Sequence, residues 1–437
     1  MLYKKLLFSC LSGILCLSSL SQSNSDYCVP ERFGNQYIFS ENEIVVQSDI
    51  EYGLSQTYLG EWEPQLMDVY TAAPGLDSLA NRPLLVILHG GGFKSGDKTD
   101  YLVTESVIAA ARSGYTAVSF NYRLGYDEPS GPCSADVDDI HRAAYRALQD
   151  ANAAMRFLFH NADQYGIDTS FVFVGGVSAG GTLSSLLHYT KADYFNEYYS
   201  FLPLELGPLN TSGNALDDEF SIDGLIMAWG SFPPYLDINS NNAIPVITFH
   251  GAEDSIVPIG DGTFNNCPNY PETVGPDVYI PMVETAEICY DYNRNPEGGH
   301  SVDIYGEYYI KNKTMCFIKS LMCDECTSSQ QETATPLCPE LGEVTDLDEI
   351  LISNDPFSIA PNPTTSEMIC ITSEMDFPGP IDVRLVDVTG KFIASIQSAQ
   401  FQNNRLYLED LNLETGFYLV DIIASNRSIG QLRLVIE

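Results

Sequence analysis

Residues 83–93 have the sequence PLLVILHGGGF, an apolar run that ends in a histidine and three glycines. A continuous apolar run of this length is typical of a strand that is buried on both faces of a parallel sheet. A second β-rich run, Phe171–Val174, leads into the sequence GGVSAG at 175–180. Both glycine-rich turns are therefore predicted to follow the carboxyl ends of buried strands.

Strand and helix patterns alternate along the chain on either side of these two turns. The predicted strands are Tyr37–Ser40, Glu43–Ser48, Gln65–Tyr70, Pro83–Leu88, Thr116–Phe120, Phe171–Val174, Leu225–Ala228 and Val246–His250. The predicted helices are Tyr101–Ser113, Asp136–Asn161 and Thr182–Tyr189, the second with apolar residues spaced along one face. This alternation predicts an α/β fold with a doubly wound, mostly parallel sheet.

The two ends of the chain differ from this central pattern. A basic Lys4-Lys5 start and an apolar run from Leu6 to Leu20 predict a signal peptide over residues 1–23, and no later stretch is long and apolar enough to span a bilayer. We assign 24–326 to the catalytic domain and 327–354, rich in Ser, Thr and acidic residues, to a linker. Short β-rich segments over 355–437 predict a small all-β sandwich.

Charge and cysteine content narrow the class of protein. Lys and Arg number 21 against 59 Asp and Glu, a net charge of −38, which argues against nucleic acid or an anionic membrane as a partner. In an exported chain, the nine cysteines that follow the leader favour disulfides, and Cys267 with Cys289 is the pair we predict. The sequence CDEC at 323–326 has no matching Cys or His pair, so we predict neither a metal nor a cofactor.

The sequence Gly176-Val-Ser-Ala-Gly180 predicts a nucleophile, Ser178, on a sharp turn between a strand and a helix. Flanking glycines remove Cβ clashes in such a turn, and the N–H of Ala179 at the helix start points toward a developing oxyanion. The glycine loop at 90–92 adds two oxyanion donors, the N–H groups of Gly91 and Gly92. We expect His89 to brace this loop and not to act as the catalytic base.

A base for Ser178 is expected after it in the chain, in the order Ser, acid, His. Among six histidines, His300 lies in a glycine-rich loop before a predicted helix, whereas His250 ends a strand and is interpreted as structural. Asp254 follows that strand and is the acid we favour, with Glu253 and Asp261 left as alternatives. Its role would be to fix the imidazole tautomer and stabilise the imidazolium.

These motifs carry a family resemblance. HGGGF, NYRLG at 121–125, GVSAGG, HGAED with VP, and GGH occur in an order that resembles the carboxylesterase and hormone-sensitive-lipase-like branch of the α/β-hydrolase superfamily. The resemblance covers roughly 60–322 and implies ester hydrolysis through an acyl-enzyme without a cofactor. It implies Ser178, His300 and Asp254 as nucleophile, base and acid. The long insert at about 262–295 departs from the family pattern.

The tail resembles another family, the C-terminal sorting domain of the type IX secretion system in Bacteroidetes. The segments PFSIAPNPTTSEMICI, VDVTGK and LETGFYLVDI carry this resemblance over roughly 355–437. It implies that the protein is exported through the periplasm by that machinery and is then secreted or attached to the cell surface. A carbohydrate-binding sandwich is the alternative for this domain.

The sequence thus predicts a secreted serine ester hydrolase with a small-molecule or polymeric ester as its substrate. Short-chain acyl esters, acetylated or feruloylated polysaccharide and polyesters all stay open as substrates. A serine peptidase of the prolyl-oligopeptidase type shares the order of the three residues. An adhesion protein on an inactive hydrolase fold is the non-enzymatic alternative.

Overall fold

The computed structural model describes residues 27–29, 31–234, 236–301 and 306–335, and beyond them the strands between 357 and 436 with short adjoining segments. The predicted signal peptide, its cleavage point near Ser23 and most of the predicted linker lie outside the described residues. The first part of the chain forms strands β1 to β11: Ile44–Gln56, Trp62–Ala72, Arg82–Leu88, Thr116–Phe120, Ile167–Val177, Gly224–Ala228, Val246–Gly251, Asp261–Thr263, Glu272–Val274, Tyr290–Asn295 and Ser329–Gln331. Helices α1 to α8 are Tyr101–Ser113, Val137–His160, Ala162–Tyr165, Ala179–Tyr189, Ala192–Tyr198, Phe201–Leu206, Pro276–Thr285 and Gly306–Met322.

Nine of these strands form one sheet in the order β1-β2-β4-β3-β5-β6-β7-β10-β11. The β1–β2 and β2–β4 pairs are antiparallel, and every later pair is parallel. Parallel neighbours need crossover connections, and helices supply most of them. The carboxyl ends of β3, β5, β7 and β10 therefore lie along one edge of the sheet, where loops can assemble a site.

Each face of this sheet has its own apolar core, as the alternation along β3 illustrates. Leu84, Val86 and Leu88 pack with α2 and α4 on one face, whereas Leu85 and Ile87 pack with α1 and α8 on the other. Both sets are almost fully buried. The predicted doubly wound, mostly parallel α/β sheet is confirmed.

Two local predictions, a strand and the start of the linker, differ from the structure. Residues 37–40 form no strand, and a short 3₁₀ helix at Glu41–Glu43 leads directly into β1. The insert at 262–295, which departs from the family pattern, contains α7 and the buried strand β10. The central sheet also continues past residue 326, since β11 pairs with β10 inside the segment predicted to be a linker.

The C-terminal region is a two-sheet sandwich, as predicted. Its strands β12 to β18 are Phe357–Ile359, Met368–Ser373, Ile381–Asp387, Phe392–Ala399, Arg405–Glu409, Gly416–Ala424 and Arg427–Ile436. They form one sheet in the order β12-β13-β16 and another in the order β15-β14-β17-β18. Alternate apolar residues of both sheets, such as Ile371 and Val420, share one core.

Disulfides connect distant segments of the catalytic region. Pairs in which both cysteines lie in the described residues include Cys28–Cys323, Cys133–Cys267 and Cys289–Cys326. The predicted Cys267–Cys289 pair is therefore wrong. Cys267 instead bonds a loop that is 134 residues earlier in the chain, and Cys289 precedes β10 and reaches the segment that leads into β11.

Candidate active site

Ser178 stands between β5 and α4 with a φ of 54° and a ψ of −117°. A positive φ is uncommon for a residue other than glycine, and such strain clusters at functional sites. The turn is tight: a Cβ at Gly176 would lie 2.5 Å from the Leu88 carbonyl oxygen, and one at Gly180 would lie 2.3 Å from it. Glycines on both sides therefore allow the end of β3 to pack against the turn that carries the serine.

A continuous hydrogen-bonded chain joins Ser178, His300 and Asp254. The Nε2 of His300 lies 2.8 Å from Ser178 Oγ, and its Nδ1 lies 2.7 Å from Asp254 Oδ2. Asp254 Oδ1 accepts hydrogen bonds from the backbone N–H groups of Ile256 and Val257, at 2.8 and 2.9 Å. The three predicted residues are thus brought together from the ends of three different strands.

The side chain of Asp254 is fully buried, whereas the alternatives Glu253 and Asp261 are exposed. Burial by itself would raise the pKa of the Asp254 carboxyl. Hydrogen bonds from His250 and His300, together with the charge of a protonated His300, outweigh burial and hold that pKa well below its usual value. Asp254 is therefore ionised throughout the neutral range, as an acid that stabilises an imidazolium must be.

His250 contacts the same carboxylate, a contact that was not predicted from the sequence. Its Nε2 lies 3.2 Å from Asp254 Oδ2 and 2.8 Å from the carbonyl oxygen of Val257, and its side chain is fully buried. The signal in the sequence is the spacing of four residues between His250 and Asp254 across a tight turn. These contacts agree with the structural interpretation of His250 and connect its ring to the turn that carries Asp254.

Close backbone contact joins the loop of Asp254 to the loop of His300. A Cβ at Gly251 would lie 2.2 Å from the Gly298 carbonyl oxygen and 2.3 Å from that of Gly299. The N–H of Glu253 donates to the same Gly298 carbonyl at 2.8 Å. The two loops are therefore fixed to each other through the backbone as well as through the His300–Asp254 hydrogen bond.

Two of the three residues predicted to supply oxyanion donors line the cavity at Ser178. Gly92 and Ala179 line the same cavity as Ser178, whereas Gly91 is exposed and its carbonyl accepts the N–H groups of Lys94 and Ser95. His89 is buried, stacks on Tyr122 with ring centres 4.1 Å apart, and has its Nδ1 2.8 Å from the Gly90 carbonyl oxygen. Its contacts match the bracing role expected for it.

An apolar cavity of about 110 Å³ begins at Ser178. Its wall comes from α2, α4, α5 and α6, from the segment after β6, and from the insert between β7 and α7. The insert reaches the site through Phe264, whose ring packs against Gly92. A Cβ added at Gly92 would lie 3.0 Å from this ring. Nothing in the sequence indicates this contact, since the insert has no recognisable pattern.

A neighbouring aromatic residue was also missed. Trp229, directly after β6, has a φ of 54°, and its ring centre lies 6.3 Å from that of His300. The backbone N–H of Trp229 donates to the Phe249 carbonyl at 2.9 Å, which extends the pairing of β6 with β7. A lone tryptophan after a short strand has no signature that would place it beside His300.

Two family models match the chain. Residues 67–205 match BD-FAE, and residues 358–437 match the secretion system C-terminal sorting domain. Residues 67–205 are thus similar to an esterase-type α/β-hydrolase domain, and residues 358–437 are similar to a sorting domain. A tail of this family indicates type IX secretion to the cell surface or the extracellular space.

Curated relatives of the hydrolase domain are esterases that match over part of their length. Juvenile hormone esterase of Heliothis virescens is 35% identical over 117 residues, which cover 25% of this chain and 18% of that protein. Carboxylesterase NlhH of Mycobacterium tuberculosis is 30% identical over 188 residues, covering 40% of this chain and 52% of that protein. The chain thus spans about half or less of the length of these relatives.

Solved structures similar to this hydrolase include a truncated carbohydrate esterase from gut microbiota, at 15% identity and a TM-score of 0.44 over 66% of this chain and 99% of that one. Another is a propionate-bound esterase from Thermogutta terrifontis, at 16% identity and a TM-score of 0.44 over 67% of this chain and 98% of that one.

None of the described helices combines the length and apolar character that a membrane crossing requires. The described part of the chain also holds no cluster of three or more His, Cys, Asp or Glu side chains suited to a metal.

Proposed function

We propose that this protein is a secreted serine hydrolase that cleaves carboxylic esters through an acyl-enzyme. The observation that carries the proposal is the hydrogen-bonded chain from Ser178 Oγ through His300 to Asp254, with links of 2.8 and 2.7 Å. A strained turn that exposes a serine to a histidine held by a buried carboxylate is the arrangement that activates a hydroxyl as a nucleophile.

The reaction follows from the roles of these atoms. Ser178 Oγ attacks the ester carbonyl while His300 Nε2 takes its proton, and Asp254 stabilises the imidazolium that forms. The N–H groups of Gly92 and Ala179, with Gly91 as a further candidate, stabilise the oxyanion, where the loss of one donor typically costs about 100-fold in rate. His300 returns the proton to the leaving oxygen, and water then hydrolyses the acyl-enzyme in the same manner.

Esters are the favoured substrates because the curated relatives are named as esterases, among them carboxylesterase NlhH and the para-nitrobenzyl esterase of Bacillus subtilis. Candidate substrates are short-chain acyl esters, acetyl or feruloyl groups on polysaccharide, and polyesters. The sorting domain favours a substrate outside the cell, with the type IX machinery as a transient partner during export.

We also propose a division of the chain into four parts. A leader occupies residues 1–23, and the catalytic domain extends from 24 to the end of β11, because β11 belongs to its sheet. A linker follows, and the sorting domain occupies 355–437.

The test is hydrolysis of p-nitrophenyl acetate and butyrate by the mature full-length protein, beside its Ser178→Ala variant. We expect the variant to lose at least about 10³-fold in kcat/KM, since the serine and the histidine act as a unit. Ser184→Ala is the matched control, because Ser184 lies on α4 and its hydroxyl donates to the Gly181 carbonyl.

Equal rates in Ser178→Ala and the unmodified protein would remove Ser178 from catalysis. Failure of a fluorophosphonate probe to label Ser178, together with no ester hydrolysis, would favour the adhesion protein. Cleavage of peptide amides in preference to aryl esters would favour the peptidase.

A further inference from the structure

The carboxylate of Asp254 meets two histidine rings at one of its oxygens. His300 Nδ1 lies 2.7 Å from Asp254 Oδ2, and His250 Nε2 lies 3.2 Å from the same atom. The other oxygen, Oδ1, accepts the backbone N–H groups of Ile256 and Val257. The proposed reaction uses the contact with His300 and leaves the contact with His250 without a role.

The polar contacts of the His250 ring are made through its Nε2 atom. This Nε2 also lies 2.8 Å from the Val257 carbonyl oxygen, which can only accept a hydrogen bond, so Nε2 carries a proton. The single N–H therefore faces both the carbonyl of Val257 and the carboxylate of Asp254. The Nδ1 of His250 is buried, and no group in the described part of the chain pairs with it. The described polar partners of this ring thus belong to the turn that carries the acid.

We propose that His250 is a positioning residue for the reaction. Its N–H holds Asp254 Oδ2 toward His300, and it limits how strongly that oxygen stabilises the proton that His300 takes up. This inference rests on the proposed function, because it concerns the base of the same reaction. It goes further by adding a fourth side chain to the hydrogen-bonded chain that starts at Ser178.

A second donor on the shared oxygen changes how tightly the base holds its proton. A carboxylate oxygen stabilises an imidazolium through its negative charge, and another N–H on that oxygen offsets part of this charge. The side chains of His250 and Asp254 are both fully buried, so water screens their interaction little. Without the N–H of His250, His300 should keep its proton to a higher pH. The enzyme would then need a higher pH before Nε2 of His300 could accept the proton of Ser178.

The same N–H also fixes the orientation of the acid. His250 lies near the end of β7, and its Nε2 joins this strand to both Val257 and Asp254. The carboxylate therefore cannot rotate away from His300 without losing a donor. His250 is not part of the wall of the cavity beside Ser178, so its loss should lower kcat and leave KM little changed.

Charged side chains also adjoin the two histidines from the neighbouring strand and from the two loops: Arg294, Glu253 and Glu297. Arg294 lies on β10 opposite His250. Its guanidinium is paired with Asp277 of α7 at 3.4 Å and with Glu332 at 3.0 Å, and the two glutamates of the loops are exposed. All of these groups stay in place when residue 250 is changed. A comparison of substitutions at this position therefore isolates the effect of the Nε2 donor.

The test is the pH dependence of kcat/KM for p-nitrophenyl butyrate, measured with the mature full-length protein. The acidic limb of this profile reports the protonation of the base in the free enzyme. His250→Leu keeps a similar volume and has no donor, whereas His250→Gln places an amide N–H where Nε2 lies. We expect His250→Leu to move the acidic limb upward by about 0.5 to 1 pH unit and to lower kcat at the plateau roughly tenfold. His250→Gln should keep the limb within about 0.2 pH unit and kcat within about threefold.

His188→Leu is the matched control for the loss of a histidine. The Nε2 of His188 also lies on a backbone carbonyl, that of Asn242 at 2.9 Å, but this residue belongs to the last turn of α4. We expect the acidic limb of His188→Leu to coincide with that of the unmodified protein. A shift as large as that of His250→Leu would show that the profile responds to the loss of either histidine, and it would overturn the inference.

His250→Asn covers the case in which His250→Leu does not fold, and thermal melts on the same samples identify the folded variants. The side chain of asparagine is too short for its amide to reach the position of Nε2, so His250→Asn should shift the limb as His250→Leu does. An unchanged limb in either folded variant would overturn the inference and leave His250 with a structural role alone. A shift in His250→Gln equal to that in His250→Leu would overturn it as well.

Ser178→Ala separates the two levels of the proposal. Serine-dependent hydrolysis whose acidic limb does not respond to residue 250 leaves the proposed function standing and removes the inference. Absence of serine-dependent hydrolysis in the unmodified protein removes both.

Discussion

Gly251→Ala tests the close contact between the loops of the acid and the base. Its new Cβ would lie 2.2 Å from the Gly298 carbonyl oxygen, whereas ordinary contact begins at 3.4 Å, so the two loops must separate by about 1.2 Å. Asp254 follows Gly251 by three residues and His300 follows Gly298 by two. The separation is therefore expected to lengthen the 2.7 Å hydrogen bond between Asp254 and His300.

A displacement of about 1 Å in a catalytic group can cost 10²-fold in rate. We expect Gly251→Ala to lower kcat for p-nitrophenyl butyrate about 100-fold with little change in KM, because most of the cavity wall beside Ser178 comes from other segments. Steady-state kinetics and a thermal melt on the same samples provide the measurement. The melt shows whether the loss of activity occurs in a folded protein.

Gly299→Ala is the matched control in the neighbouring loop. A Cβ at Gly299 meets nothing within 4 Å, and the backbone there lies outside the left-handed region, so an alanine fits without displacement. We expect its kcat to stay within about threefold of the unmodified protein. If Gly251→Ala keeps comparable activity, or if Gly299→Ala loses as much, the backbone contact does not position the site.

Two further changes test the electrostatics and the wall. Asp254→Asn should lower kcat on the order of 10⁴-fold. In the unmodified protein, two histidines hold the pKa of Asp254 below its usual value. The ionised Asp254 carboxylate therefore stabilises the fold fully above the unfolded-state pKa of about 3.9, and this stabilisation is lost as pH falls through the lowered pKa. The difference in unfolding free energy between the unmodified protein and Asp254→Asn, measured with urea, should therefore shrink from about pH 5 downward, and growth on acidification would contradict this sign. Replacement of Cys133 and Cys267 together by serine should lower the unfolding free energy by about 2–4 kcal/mol. It should also change the ratio of butyrate to acetate hydrolysis, because this disulfide fixes the insert that carries Phe264 of the cavity wall. Cys370→Ser removes a free cysteine of the tail and should change neither quantity, so a matching loss in that variant would contradict the assignment.

Residues that depend on local geometry were predictable from the sequence. A serine at a strand–turn–helix junction needs glycine on both sides, and Gly176 and Gly180 meet that need through their contacts with the end of β3. An acid at the end of a buried strand and a histidine in a later loop follow from chain order. Local sequence patterns and chain order therefore predict Ser178 and His300, whereas for the acid they favour Asp254 and leave Glu253 and Asp261 open.

Contacts that join distant segments were not predictable in this way. The partner of Cys267 lies 134 residues away, and Phe264 reaches Gly92 from an insert that shows no periodicity. Neither contact leaves a pattern in a single sequence, because each depends on how far an irregular loop folds back over the sheet. The shape of the cavity beside Ser178 depends on both contacts, so the lining of this cavity was the least predictable part of the site.

The strand β10 shows why the position of His300 also depends on contacts that the sequence does not reveal. Its sequence, YDYNRN, is polar, yet most of the strand is buried, because its polar groups are paired. Asp291 accepts from Gln331 at 2.7 Å and lies 3.2 Å from Lys313, while Asn293 accepts from Gln331 at 2.6 Å. Polar pairing of this kind hides a buried strand from any search for apolar runs.

Strand β10 positions part of the site through its pairing with β7. These strands are parallel and in register so that Asn295 lies opposite Gly251, which places the loop of His300 directly beside the loop of Asp254. Gln331 comes from β11, inside the segment predicted to be a linker, and helps to satisfy the buried polar groups of β10. Truncation before β11 would leave Asp291 and Asn293 without that partner and weaken the strand that positions His300. The catalytic geometry therefore depends on residues beyond the last recognisable motif of the hydrolase domain.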